Sequence, residues 1–253
     1  MSSRTLILSL GAILCASTAE AQWTQRSSQT ETSAVPGVVH QRIVVEDSST
    51  GAEATLEVAK FSPKSAHLRV IDNPDGRDLA DVLGAGAQVA GVNGGYFDEK
   101  FSPLGLRVVD GKTYSVLMRG RLLTGIVVSS AAKTQLLRPS EFSKATRATT
   151  AVQCGPFLID HGTTVPGLES RHAARRTFVA ITGSGDVMLG YCSNASLAQL
   201  PAILNASAGD SRIQRALNLD GGSSSAFWFK RKDGSVFSVP EQKSVRDFIA
   251  VTK

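Results

Sequence analysis

The sequence has few of the residues that most often bind metal ions. Its 253 residues include only three cysteines and four histidines. The histidines form no H-E-x-x-H pattern and the cysteines lack the spacing of zinc ligands, so the sequence predicts no zinc site. Asp98 and Asp220 could hold Ca²⁺ or Mg²⁺ together with backbone carbonyl groups, but their spacing matches no known loop motif. We therefore predict no cofactor and leave a divalent cation open.

Long apolar segments are also rare. The longest uncharged one spans residues 5–19, which is shorter than the roughly 20 residues of a membrane-spanning helix. Arg4 precedes this segment and Ala19-Glu20-Ala21 ends it, a pattern typical of a secretory signal peptide. We predict a signal peptide over residues 1–21, a secreted or periplasmic protein, and no stable membrane span.

Cysteine pairing depends on this predicted export. An oxidising compartment would allow Cys154 and Cys192 to form a disulfide. The bond would close a loop of nearly 40 residues and stabilise the fold by a few kcal/mol in the chain-entropy model. The alternative is that both cysteines are buried free thiols.

The chain carries no dense basic track. Its 27 basic and 22 acidic residues give a net charge of +5, but the basic residues are scattered, so we predict no nucleic-acid partner. Arginine outnumbers lysine, 17 to 10, and its planar fork suits phosphate or carboxylate groups. This composition favours an anionic ligand, and it leaves the oligomeric state open.

Short segments with strand-like composition recur from Val38 onward. Several of them alternate apolar and polar residues, as half-buried strands do. Asp110-Gly111 and residues 183–186 are hairpin turn signals between such segments. The predicted strands lie in residues 38–46, 54–61, 66–72, 88–93, 106–116, 124–130, 177–182 and 187–192.

Helical patterns are fewer, and they occur in residues 78–83, 196–205 and 211–216. Residues 22–37 are polar and lack periodicity, which predicts a flexible leader. No repeat or linker divides residues 38–253. We therefore predict a single α+β domain over 38–253, with an antiparallel-rich mixed β-sheet and a few packed helices.

Two segments combine a strand-like run with paired glycines and polar side chains. They are GVNGGYFD at 91–98 and LNLDGGSSSAFW at 217–228. Glycines permit sharp turns or close approach of the backbone to a ligand, so each segment is a candidate pocket wall, although each is equally consistent with a plain turn. The candidate lining residues are Asn93, Gly94, Gly95, Asp220, Gly221, Gly222 and Ser223.

Five motifs follow one another between about residues 85 and 252. They are N-G-G-Y-F at 93–97, CGPFLIDHG at 154–162, Arg176-Thr177, L-D-G-G-S at 219–223, and Arg246. The L-D-G-G-S motif is the most specific of them. In this order the motifs resemble those of the phosphodiester glycosidase family. Arg175 stands where the family usually has proline, which leaves the register between Arg175 and Arg176 open.

The resemblance implies cleavage of the bond between a sugar's anomeric carbon and a phosphate oxygen. Phosphate is a good leaving group, so such a site needs cations and a carboxylate more than a strong acid. We therefore predict an exported hydrolase of a sugar-1-phosphodiester or a related envelope or extracellular glycan, with an anionic or phosphorylated carbohydrate as its partner. The alternatives are a non-catalytic carbohydrate- or envelope-binding protein on the same fold and a hydrolase of another glycosidic bond.

The resemblance also suggests roles for individual residues. Asp220 is the first candidate for the catalytic carboxylate, although it could instead orient an arginine, and Asp98 is the second. His172 is a further candidate for proton transfer. Arg176 and Arg246 are candidates for phosphate binding. Asn93 could bind sugar hydroxyls or close an Asx-turn.

Ser223 is not predicted to be a nucleophile. A G-x-S-x-G elbow would require glycine two residues after the serine, but Ser224 and Ser225 follow it. No histidine or acid has an evident place beside it.

Overall fold

The computed structural model describes residues 22–130, 133–143 and 146–253. The predicted signal peptide, residues 1–21, lies outside these ranges. Across the described ranges, none of the helices has the length and apolar character needed to cross a bilayer.

The described chain is built mainly of strands. The first half contains β1 (Trp23–Thr32), β2 (Val38–Asp47), β3 (Glu53–Phe61), β4 (His67–Asp72), α1 (Leu79–Gly84), β5 (Ala90–Asn93), β6 (Arg107–Val109), β7 (Lys112–Ser115), β8 (Gly125–Ser129) and β9 (Thr134–Leu137). The second half contains β10 (Thr150–Cys154), β11 (Phe157–Asp160), β12 (Thr163–Thr164), β13 (Ala174–Thr182), β14 (Val187–Ala195), α2 (Leu200–Ser207), β15 (Ile213–Asn218), β16 (Phe227–Lys230), β17 (Val236–Val239) and β18 (Asp247–Thr252).

The strands form three sheets. The largest has eight strands in the order β1-β2-β3-β14-β13-β15-β11-β12. The other two have five strands each, in the orders β7-β6-β10-β8-β9 and β17-β16-β5-β18-β4. Within the described residues every paired strand is antiparallel. The predicted strands are therefore present. The structure differs from the prediction in that they form three antiparallel sheets instead of one mixed sheet.

The main core lies between one face of the large sheet and the two smaller sheets. It joins Val179 and Leu217 of the large sheet to Val152 of the second and Val92 of the third. Helix α2 covers the opposite face of the large sheet. Helix α1 packs on the third sheet, where Leu83 shares a buried cluster with Trp228. The two helices are thus peripheral to a mostly β core, and the α+β assignment holds only in this limited sense.

The predicted flexible leader is wrong for most of its length, because Trp23–Thr32 is strand β1. It pairs with β2 over nearly all of its residues, from Trp23 opposite Asp47 to Thr32 opposite Val39. Apart from buried Trp23, its side chains are almost all exposed. An edge strand with both faces in water shows no apolar alternation, so backbone pairing could not be read from its polar sequence.

The helix predicted over residues 211–216 is also wrong. Ile213–Asn218 forms strand β15, paired with β13 on one side and β11 on the other. The spacing of Ile213, Ala216 and Leu217 fits a helix face, but all three are buried between neighbouring strands. Pairing on both edges therefore overrides the local helical pattern.

The predicted helix at 196–205 begins later than expected. Ser196 and Gln199 close a turn ahead of it, in which the Ser196 hydroxyl accepts the Gln199 N–H at 3.2 Å. The helix then runs from Leu200 to Ser207 and places Pro201 in its first turn. Proline is tolerated there because the first N–H groups of a helix have no intrahelical partner.

Of the two alternatives left open for the cysteines, the structure shows the second, since Cys154 and Cys192 are buried free thiols. Cys154 lies in the core between the sheets, whereas Cys192 faces α2 on the other side of the large sheet. A sheet therefore separates the two side chains. Burial raises the pKa of each thiol to about 12, so both are uncharged and unreactive near neutral pH.

Candidate active site

The structure brings the two glycine segments together at the end of β15. Asp220 follows this strand by two residues and precedes a short 3-10 turn, Gly222–Ser224. Its backbone N–H donates to the Gly94 carbonyl at 3.2 Å, and its carbonyl accepts from Asn93 Nδ2 at 2.7 Å. Asp220 and the N-G-G segment therefore form one structural unit.

Asn93 ties this unit to neighbouring strands. Its Oδ1 accepts from Thr177 Oγ1 at 2.7 Å and from the Ala226 N–H at 3.1 Å. The residue is fully buried. Its carboxamide thus holds segments of different sheets in register, which differs from both the predicted sugar contact and the predicted Asx-turn.

Gly94 and Gly95 make room for a buried ion pair. A Cβ on Gly94 would overlap Asp247 Oδ1, and a Cβ on Gly95 would lie 2.7 Å from Arg107 Nη1. Arg107 Nε lies 2.7 Å from Asp247 Oδ2, and both side chains are fully buried. The Gly95 N–H also donates to Asp247 Oδ1 at 3.0 Å. Close packing against this ion pair therefore requires glycine at both positions.

This ion pair was not predicted. Arg107 occurs within a strand-like run, and Asp247 directly follows Arg246, which is the residue that the closing motif marks. Residues 140 positions apart cannot be matched without the fold. The only local signal was the glycine pair, which indicated that something approaches the backbone closely.

Asp220 is a largely buried carboxylate. Burial raises its pKa above the ordinary range of aspartate, and the nearby charge of Asp247 acts in the same direction. The Ser224 hydroxyl, the ammonium group of Lys243 and the Gly221 N–H oppose this effect. The Gly221 N–H lies 3.0 Å from Asp220 Oδ1. A carboxylate in such surroundings can exchange protons at a higher pH than an exposed one.

The glycines after Asp220 serve two different purposes. Gly222 has a φ of +64°, which disfavours other residues, although open space lies where its Cβ would be. Gly221 has an ordinary extended conformation, and a Cβ there would lie 3.3 Å from the Arg175 carbonyl. One glycine allows the turn and the other leaves space beside β13.

Arg176 lies close to the segment that follows β15. Phe178 of β13 is opposite Asn218 of β15, and the Leu219 N–H donates to the Thr177 carbonyl at 2.8 Å. Continuing this antiparallel register places Arg176 opposite Asp220. Its Nη1 lies 3.7 Å from the position of a Cβ on Gly221.

The guanidinium of Arg176 is only partly engaged. Its Nε donates to the Ala195 carbonyl at 2.8 Å, and its Nη2 donates to the His172 carbonyl at 2.7 Å. Among the described residues Nη1 makes no hydrogen bond. Burial lowers the pKa of Arg176, yet arginine stays cationic in proteins. It therefore offers a positioned donor to an anion.

Arg175 is held differently from Arg176. This difference bears on which of the two corresponds to the arginine of the family motif. Its Nη2 donates to the carbonyl groups of Ser225 and Pro240, and its guanidinium lies over the Tyr191 ring, 5.3 Å from the centroid. Arg175 thus fastens the chain around the 3-10 turn. The geometry favours Arg176, and not Arg175, as the ligand-facing arginine.

Asp98 organises its own loop. Its Oδ1 accepts the N–H groups of Lys100 and Ser102, each at 2.9 Å. The Asp98 N–H in turn donates to the Ser102 carbonyl. These bonds give the carboxylate a structural task that the sequence pattern did not indicate.

His172 and Arg246 have partners of their own. The His172 side chain is 83% exposed and its Nδ1 lies 3.1 Å from Glu169 Oε1. Arg246 pairs through both terminal nitrogens with the carboxylate of Asp72. Among the described residues, His172 is therefore hydrogen-bonded to Arg176 through its backbone carbonyl and not through its imidazole. The guanidinium of Arg246 is occupied by the carboxylate of Asp72.

A segment before β18 completes the surroundings of Asp220. The Gln242 N–H donates to the Ser223 carbonyl at 2.7 Å, and the Lys243 side chain is exposed beside the Phe97 ring. Glu241 Oε1 accepts the Leu79 N–H at 2.7 Å, and burial raises the pKa of Glu241. Sequence reasoning missed Glu241 and Lys243, since no motif marks this segment.

The described residues provide no ready set of ligands for a metal ion. In the residues that the structure describes, no three His, Cys, Asp or Glu side chains are grouped as metal ligands. The two carboxylates considered from the sequence, Asp98 and Asp220, bind backbone N–H groups.

Known structures share this fold. The catalytic domain of zebrafish N-acetylglucosamine-1-phosphodiester alpha-N-acetylglucosaminidase, solved in a form auto-inhibited by its pro-peptide, superposes with a TM-score of 0.65 at 17% identity, covering 91% of this chain and 88% of that one. A Burkholderia pseudomallei protein, whose name marks it as a candidate for export, superposes with a TM-score of 0.56 at 12% identity, covering 81% and 75% of the two chains.

The structural matches show the fold, whereas comparison of sequences identifies the family. No curated protein sequence matches the chain significantly. The description of the phosphodiester glycosidase family matches residues 86–252, which include both glycine segments, Arg176 and the Arg107–Asp247 pair. The chain therefore belongs to the phosphodiester glycosidase family.

Proposed function

We propose that this protein is an exported hydrolase that cleaves the glycosidic bond of a sugar-1-phosphodiester. The observation that carries the proposal is the placement of Arg176 Nη1 close to Gly221, the residue that follows Asp220, a carboxylate of raised pKa. Family membership supports the reaction class. The sugar and the group on the far side of the phosphate are not specified by these residues.

In this proposal Arg176 binds the phosphate. Its Nη1 makes no hydrogen bond among the described residues, and it lies 3.7 Å from the position of a Cβ on Gly221. The positive charge offsets the charge that gathers on the phosphate as the bond to the anomeric carbon breaks. The exposed ammonium group of Lys243 adds to the positive field around Asp220.

Asp220 acts on the water in this proposal. It accepts a proton as the water oxygen bonds to the anomeric carbon, and the phosphate monoester leaves with the electrons of the broken C–O bond. The leaving phosphate needs little protonation, which is consistent with a site that holds one well-placed carboxylate.

The first test is a panel of soluble sugar-1-phosphate diesters and aryl glycosides. We expect turnover of diesters and little or none of aryl glycosides. Arg176→Gln should raise the KM for a diester about 10- to 100-fold, because a hydrogen bond to a charged group contributes about 1.5–3 kcal/mol. Arg26→Gln is the matched control, since this exposed arginine pairs with Glu46 at the far edge of the same sheet.

The panel also separates the alternatives. Binding of sugar phosphates without any turnover by the wild-type protein would indicate a non-catalytic binding protein. Cleavage of aryl glycosides alone would indicate that the enzyme acts on another glycosidic bond. It would also contradict the proposed binding of phosphate by Arg176. Equal effects of Arg176→Gln and Arg26→Gln would contradict the phosphate role.

The pH dependence gives a second test. A base must be ionised, so kcat/KM should fall as the pH drops through the raised pKa of Asp220. Lys243 lowers that pKa, and Lys243→Met should therefore move the acid limb of the profile to higher pH. Lys64→Met, which removes an exposed lysine that does not affect Asp220, should leave the limb in place. A shift in the opposite direction would show that another group controls the limb.

A further inference from the structure

The exposed apolar side chains are concentrated in one loop. Among the described residues six large hydrophobic side chains are exposed, and five of them fall between residues 114 and 122. They are Tyr114 (51% exposed), Val116 (70%), Leu117 (41%), Met118 (40%) and Leu122 (54%). Exposed apolar side chains grouped in this way indicate an interaction surface.

The base of this loop is firmly held by buried Gln153. Its Oε1 accepts the N–H groups of Leu106 at 2.9 Å and Met118 at 3.0 Å. Its Nε2 donates to the carbonyl groups of Met118 at 2.7 Å and Leu123 at 3.1 Å. The side chain thus uses both donors and accepts twice. The loop backbone is anchored at two points, Met118 and Leu123. The Met118 sulfur also accepts the Gly105 N–H at 3.2 Å, whereas Val116 is the most exposed of the five apolar side chains.

The same loop is cationic. Lys112, Arg119 and Arg121 are exposed, and residues 111–123 include no acidic residue. The nearest acid along the chain, Asp110, is paired with Arg69 at 2.8 Å. We call residues 112–122, which comprise β7 and the loop that follows it, the cationic apolar loop.

We propose that the cationic apolar loop docks this protein onto an anionic lipid surface. Apolar side chains flanked by cations bind such surfaces by inserting into the headgroup region while the cations meet lipid phosphates. A second copy of this chain fits less well, because a two-fold contact would set the three cations of one copy against those of the other. The proposal does not depend on the catalytic role of Asp220.

The test is cosedimentation of the full-length protein with vesicles of phosphatidylcholine, alone or mixed with phosphatidylglycerol. We expect binding to the mixed vesicles that weakens as sodium chloride is raised. Arg119→Gln/Arg121→Gln should lower the partition coefficient about 25-fold, since each cation near an anionic surface contributes about fivefold. Val116→Ser/Leu117→Ser should lower it at least about tenfold.

Val236→Ser is the matched control, because Val236 is the remaining exposed large hydrophobic residue of the described chain, 46% exposed on β17. It should bind vesicles as the wild type does. Turnover of a soluble diester should stay at the wild-type rate in all three variants, which keeps this test separate from that of the catalytic proposal.

Several results would overturn the proposal. Equal binding to both kinds of vesicle, or no binding to either, would show that the loop does not recognise anionic lipid. Unchanged binding by Val116→Ser/Leu117→Ser would show that the apolar residues take no part. A dimer seen by light scattering and lost in that variant, without vesicle binding, would assign the loop to self-association.

Discussion

Replacing Asp220 with asparagine is expected to lower kcat for a sugar-1-phosphate diester by about 10²- to 10⁴-fold, the range for loss of a general base. Asparagine keeps an oxygen that can accept the Gly221 N–H, which lies 3.0 Å from Asp220 Oδ1. The loop geometry should therefore survive, and binding of the sugar phosphate product should persist. Steady-state kinetics and calorimetric titration measure the two effects separately.

The same substitution should stabilise the protein. Burial disfavours the charged form of Asp220, so removing the charge relieves a cost of folding above the ordinary pKa of aspartate. A gain of about 1 kcal/mol would raise Tm by about 2–4 °C for a chain of this size. Higher Tm together with lost turnover would distinguish a functional carboxylate from a purely structural one.

Asp98→Asn is the matched control. Asp98 Oδ1 accepts two loop N–H groups, and an asparagine oxygen can do the same. Turnover should stay near that of the wild type. If Asp98→Asn removed turnover and Asp220→Asn did not, the roles of the two carboxylates would be exchanged.

Replacing Arg107 with methionine is expected to destabilise the fold by about 3–5 kcal/mol, because it leaves the buried carboxylate of Asp247 without its counter-charge. Urea unfolding measures the loss. Turnover should fall as well, since Asp247 contacts Gly95 and the adjacent Gly94 carbonyl accepts the N–H of Asp220.

The double variant Arg107→Met/Asp247→Asn tests the cause. With both charges gone, most of the lost stability should return, because well-packed neutral groups often replace a buried pair at little cost. Arg69→Met is the control, since its exposed pair with Asp110 should contribute about 0–1 kcal/mol. A double variant no more stable than Arg107→Met would show that methionine fails to pack there, independent of charge.

Much of this fold was determined by local sequence patterns. Alternating residues mark β2, which covers 38–47. Strand β3, which covers 53–61, is rich in apolar residues because it contributes to the buried clusters on both faces of the large sheet. Asp110-Gly111 joins β6 to β7 as a tight turn. The order of the motifs around L-D-G-G-S is sufficient to indicate the family, and Asp220 and the N-G-G segment do lie together.

Only the tertiary structure decided which charged side chains have partners. Arg175 and Arg176 look alike in sequence, but Arg175 donates to the carbonyl groups of Ser225 and Pro240. Arg176 donates to those of Ala195 and His172, and its Nη1 makes no hydrogen bond among the described residues. Arg246 is paired with Asp72 through strands that are distant in sequence. These outcomes depend on long-range strand pairing, which local patterns do not encode.

Strand β1, strand β15 and the free thiols show the same limit. Polar β1 is held by backbone hydrogen bonds, which any sequence can make, and β15 is a strand because it pairs on both edges. Cys154 and Cys192 stay apart because a sheet lies between them. The sequence by itself determined the family and most strands. The tertiary structure decided strand pairing, burial and the partners of charged side chains, because these depend on neighbours that the chain brings together only by folding.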